Sequence, residues 1–85
     1  MAKKNYSLSE KNGVHEFKFD SGEWVSISEG GWEYQEDEDD EDSYSEGGLS
    51  FENRELVDFD GAYQLPQLVI FALKKLRYKI NPLIE

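Results

Sequence analysis

Apolar and polar positions alternate with period two along the first third of the chain. Tyr6, Leu8, Phe17, Phe19, Val25, Ile27, Trp32 and Tyr34 are interleaved with Ser7, Ser9, Glu16, Lys18, Ser26, Ser28 and Glu33. Such alternation predicts strands with one face buried and one face wet. Three turn signals divide the stretch. Asn12-Gly13 suits a two-residue hairpin, because both positions tolerate positive φ. It sets Leu8 opposite Phe17 and Tyr6 opposite Phe19. Asp20-Ser21-Gly22 suits a three-residue loop with Gly22 left-handed, which sets Phe17 opposite Val25 and His15 opposite Ile27. Gly30-Gly31, taken as a two-residue loop, sets Ile27 opposite Tyr34 and Glu29 opposite Trp32. Each choice keeps the apolar residues on one face, and a slip of one residue would scatter them. The expectation is a four-stranded antiparallel meander, with Trp24 the one large apolar residue on the wet face.

The pattern then breaks. Glu36-Asp37-Glu38-Asp39-Asp40-Glu41-Asp42 is seven consecutive acids, followed by Ser43-Tyr44-Ser45-Glu46-Gly47-Gly48. Neither period survives, which predicts a mobile acidic loop over 36–48. Leu49, Phe51, Val57 and Phe59 share one face if a second hairpin turns through an odd-length loop. Beyond Gly61, Leu65, Leu68, Val69, Ala72, Leu73 and Leu76 recur at helical spacing. Pro66 suits the first turn of that helix, and Lys74, Lys75 and Arg77 complement its C-terminal dipole. Tyr78-Lys79-Ile80 reads as a last short strand before Asn81-Pro82. The fold expected over 1–85 is a single α+β domain. In it an antiparallel β-meander (four strands plus a second hairpin) packs on one C-terminal α-helix in two layers.

Length and charge narrow the function. Eighty-five residues hold one modest core and no interdomain cleft. There is no cysteine, hence no disulfide, thiolate zinc site or cysteine nucleophile. Aromatic residues, 14% of the chain, argue against full disorder. No apolar stretch is long enough to span a bilayer, and no apolar run follows Lys3-Lys4, so a cytoplasmic protein is expected. The net charge is −10, but it is segregated. Residues 1–19 carry +2, residues 20–60 carry −15 with Arg54 as their one base, and residues 61–85 carry +3. Such a block repels nucleic acid and anionic membranes and favours a basic protein partner.

The acidic run is the sharpest chemical feature. Extended, it carries one charge per ~3.3 Å, close to the ~3.4 Å spacing along one DNA strand. Carboxylates can therefore stand in for phosphates in a basic groove. The candidate partner-binding residues are Glu29, Glu33, Glu36, Asp37, Glu38, Asp39, Asp40, Glu41, Asp42 and Glu46. Trp24, Trp32 and Tyr44 are the aromatic anchors, and Glu52, Glu55, Asp58 and Asp60 extend the negative surface. The plainer reading of the run is a solvating tether on a structural or small oligomeric interaction protein.

Other chemistry finds little support. Asp58-Phe59-Asp60-Gly61 carries only the middle of an EF-hand loop, since Leu56 and Gln67 would occupy its first and last ligand positions. Low-affinity divalent binding by the run is a further alternative, without a dedicated metal site. His15, the one histidine, reads as a structural side chain at the sheet's end. Ser43, with Glu46 three residues on, fits an acidophilic kinase loosely. No phosphate-binding glycine loop or nucleophile elbow occurs, so neither catalysis nor a cofactor is expected. In size and charge alone, the chain resembles acidic proteins that occupy basic nucleic-acid grooves. These include phage inhibitors of restriction or CRISPR enzymes and immunity proteins against nuclease toxins. That resemblance implies a non-catalytic inhibitor of a nuclease, restriction or CRISPR-type enzyme, or toxin.

Overall fold

A computed structural model describes residues 5–37 and 39–84. Local turn chemistry sets the first three strands. β1 (Tyr6–Lys11) and β2 (Val14–Phe19) join through Asn12 and Gly13, left-handed at φ 55° and 82°. β3 (Trp24–Ser28) follows a loop in which Gly22 is left-handed at φ 97°. The registers Tyr6↔Phe19, Leu8↔Phe17, His15↔Ile27 and Phe17↔Val25 are those the turns predict. The next register differs. On β4 (Gly31–Gln35), Trp32 faces Ile27 and Tyr34 faces Val25, so Glu29 and Gly30 make the turn instead of Gly30-Gly31. The displacement is an even step, which leaves the same side chains inside.

A short 3-10 turn (Glu41–Ser43) leads into β5 (Tyr44–Glu52). Residues 44–48, expected in the acidic loop, instead pair with β4 from Gln35↔Tyr44 to Gly31↔Gly48. The second half of β5 pairs with β6 (Glu55–Phe59). One long strand thus joins the meander to the second hairpin. The result is a continuous seven-stranded sheet in chain order, where four strands plus a separate hairpin were expected. The β5–β6 turn has two residues, Asn53 and Arg54, left-handed at φ 50° and 63°. A register shift between Ser50 and Phe51 compensates, so Leu56 enters the core where Val57 was expected.

The helix α1 (Gln67–Lys75) lies over β3 and β4, burying Leu68, Val69, Ile70, Ala72 and Leu73. Pro66 caps it from outside the first turn. Its far end closes with Arg77 left-handed at φ 71°, the Arg77 N–H bonded to the Lys74 carbonyl and the Tyr78 N–H to that of Leu73, both at 3.0 Å. This six-residue closure reverses the chain into β7 (Lys79–Ile80), parallel to β6. The sheet curls around the helix, which departs from two flat layers. Phe17, Val25, Ile27, Trp32, Leu56, Val69 and Leu73 fill the centre. Tyr6, Phe17, Phe19 and Phe71 form an aromatic cluster at one side, with ring centroids 5.4–6.4 Å apart. Leu8 remains 48% exposed, although it lies on the same face as Tyr6, whose ring packs on Phe71 of the helix. Among the described residues, no helix is long and apolar enough to cross a membrane.

Candidate functional site

The acidic connection between β4 and β5 is folded on itself. Glu36, Asp37, Asp39, Asp40, Glu41 and Asp42 are exposed. Glu38, also a candidate, lies outside the described residues. Two of the acids cap local backbone. Asp37 Oδ1 accepts from the Asp39 N–H and Asp40 Oδ1 from the Asp42 N–H, each at 3.0 Å. Ser43 ties the ends together, its Oγ accepting from the Asp37 N–H at 3.1 Å and donating to the Asp40 carbonyl at 2.6 Å. Gln35 Nε2 donates to that same carbonyl at 2.9 Å. Short polar side chains that bond nearby backbone in this way favour turns over regular ladders. The described acids of the run therefore project from a small hydrogen-bonded turn instead of an extended string.

The registers align a second acidic group on the outer face of the sheet. Glu16, Ser26, Glu33 and Glu46 fall in one cross-strand row, and Lys18, Trp24, Gln35 and Tyr44 in the next. Glu36 N–H bonds Ser43 and Leu49 N–H bonds Gly30 across this ladder. By alternation Glu33 and Glu46 form a non-hydrogen-bonded pair, whose Cα atoms stand only ~4.5 Å apart. Two like charges are thus held side by side. The Tyr44 hydroxyl lies within reach of both charges, and its pKa is pushed up to about 12, first by burial and then by the charges of Glu33 and Glu46.

The candidate aromatic residues divide. Trp24 is half-buried on this outer face, between Lys18 and Gln35. Tyr44 is 39% exposed. Trp32 is no surface anchor: it is 1% exposed, and its Nε1 donates to the Asp60 carbonyl at 3.1 Å. Its place on the apolar face of β4 follows from the alternation. Glu29 is exposed in the β3–β4 turn. Glu52 and Glu55 face each other at the β5–β6 turn, away from the β4–β5 face. Asp60 is exposed and bound back to β5, its Oδ1 accepting from the Gly48 N–H at 2.6 Å. Leu83 is 95% exposed while Ile84 packs on the core. His15 stands between Glu10 and Ile27 on the neighbouring strands. Among the described residues no three acids or histidines converge on a common point where an ion would be held.

Ser26 is the residue that sequence reasoning passed over. It sits on the wet face yet is 6% exposed, within the same row as Glu33 and Glu46. Its signal was its register position between Glu16 and Glu33, which appears only once both neighbouring pairings are known. The chain matches no family model, and neither a curated protein nor a solved structure is similar to it.

Proposed function

We propose that this chain is a non-catalytic acidic binding protein that occupies a basic, nucleic-acid-binding groove of a partner protein by phosphate mimicry. The observation that supports this reading is the way the carboxylates are held. Those of Glu36, Asp37, Asp39, Asp40, Glu41 and Asp42 project from a turn tied by Ser43, and those of Glu33 and Glu46 stand beside it on the sheet. A merely solvating tether needs no such hydrogen bonds. Preorganised charge reduces the ordering cost of association, and its field raises the on-rate. Trp24 and Tyr44, on the same face, are the aromatic anchors. The partner is a nuclease, a restriction or CRISPR-type enzyme, or a toxin, met in the cytoplasm. A structural or small oligomeric role is the second reading, favoured by Tyr63 and Leu83, 98% and 95% exposed beside a cleft that also includes Phe59 and Ile70. Salt titration of binding to nucleic-acid-binding enzymes tests the first reading. Affinity falls steeply between low and high ionic strength if it holds, and a flat response removes it. Sedimentation at rising concentration tests the second.

A further inference from the structure

A shallow trough of about 320 Å³ opens on the outer face of β3, β4 and β5. Ser26, Ser28, Glu33 and Glu46 line it, while Gly31 contributes no side chain to it. Two observations meet there. The first is the Glu33–Glu46 pair, two carboxylates directly opposite each other on neighbouring strands. The second is Ser26. It is 6% exposed, and its hydroxyl makes no hydrogen bond to any described residue. Yet no buried side-chain polar atom among the described residues is sealed from solvent without a partner. The Ser26 Oγ therefore opens onto the trough it lines.

The donor balance of this trough is one-sided. It offers an excess of acceptors, two of them charged and fixed at the closest spacing a sheet allows. A water molecule supplies two donors and no charge. An ammonium supplies a compact point charge. A guanidinium supplies a planar fork of five N–H donors and binds carboxylates bidentately. Its planar head also suits a shallow trough with glycine in its lining.

Resting on the reading of this chain as a binder of basic proteins, we infer that the trough receives an arginine side chain of the partner. Glu33 and Glu46 bind the guanidinium, and Ser26 accepts one further N–H. The site thus adds side-chain specificity to an otherwise general attraction between opposite charges.

Hexa-arginine and hexa-lysine peptides, titrated at matched ionic strength, test this. The wild type binds hexa-arginine about tenfold tighter than hexa-lysine. The Glu33→Gln/Glu46→Gln variant, checked for an intact melting transition, binds both equally. Ser26→Ala, which leaves the charge unchanged, loses part of the preference. Equal binding of the two peptides by the wild type, unaltered in the double variant, overturns the arginine site and leaves the charge-based function standing. Binding of neither peptide at low salt overturns both.

Discussion

The indole of Trp32 and the carbonyl of Asp60 meet at 3.1 Å, where the chain leaving β6 crosses the inner face of β5. Gly47 makes this crossing possible. A Cβ there would stand 1.8 Å from the Asp60 carbonyl oxygen, and one on Gly61 would stand 2.2 Å from that of Glu46. The same crossing brings the Asp60 carboxylate to the Gly48 N–H. It locks the middle of β5 and so positions Glu46 on the opposite face.

Gly47→Ala is therefore expected to destabilise the fold by more than ~3 kcal/mol, since backbone meets backbone and neither can yield. Gly30→Ala, with nothing within 4 Å of the new Cβ, is the control and shifts stability by less than ~0.5 kcal/mol. Trp32→Phe loses the hydrogen bond to Asp60 and leaves a cavity where the second ring stood, at a cost of ~1–3 kcal/mol. Urea unfolding of the three variants checks this order.

Arg77 adopts φ 71° to close the helix, a conformation costly for a residue with a Cβ. Arg77→Gly is expected to raise stability by ~0.5–1 kcal/mol, the relief of backbone strain exceeding the added chain entropy. A higher melting temperature at matched salt is the expected reading. A lower one would show that the arginine side chain stabilises the helix end.

The Glu33–Glu46 pair sets stability against binding. Glu46→Lys converts a like-charge pair into an opposite one and should stabilise the sheet by ~0.2–1 kcal/mol at low salt. The gain shrinks as salt is added, and affinity for a basic partner drops. Unfolding curves at two ionic strengths, set beside binding measured at the same two, separate these effects.

Tyr34 gives the fold an alkaline limit. Its hydroxyl donates to Glu23 at 3.0 Å, and its pKa is pushed up to about 12, first by burial and then by that hydrogen bond and the charges of Glu23 and Glu36. Below pH 10, the unfolded value, both states keep the proton and the contribution is complete. As pH rises, the unfolded chain ionises first, and the contribution is lost by about pH 12. Tyr34→Phe should flatten the decline of melting temperature across this window.

Much of this architecture was legible because its signals are local. Asn12-Gly13 and Gly22 each specified a turn and a register from a few residues. The β3–β4 register was ambiguous because Glu29, Gly30 and Gly31 allow two turns related by an even step, and both bury Val25, Ile27, Trp32 and Tyr34. Residues 44–48 were hidden for a different reason. Glycine and acid predominate there, and only pairing with β4 makes them a strand. The Val57-to-Leu56 exchange depended on a bulge, and the left-handed Arg77 on tertiary closure. The site followed suit: the acids were evident, but the Glu33–Glu46–Ser26 grouping needed both registers of β4.

Ser43 separates the amount of charge from its arrangement. Ser43→Ala leaves every carboxylate in place and removes the hydroxyl that joins Asp37 to Asp40. Global stability should fall by no more than ~1 kcal/mol. Amide exchange at Asp37 and Asp42 should accelerate, and binding to a basic partner should weaken through faster dissociation. Unchanged exchange would show that the turn is held by its backbone alone.

The most direct test replaces Glu36, Asp37, Asp39, Asp40, Glu41 and Asp42 by their amides, which preserves the length of the β4–β5 connection. Affinity for a nucleic-acid-binding enzyme that the wild type inhibits is then measured against salt, with duplex DNA as competitor. The account predicts an intact melting transition, a large loss of affinity, a shallower salt dependence, and displacement of the wild type by DNA. Undiminished binding by the amide variant, indifferent to both salt and DNA, would contradict it.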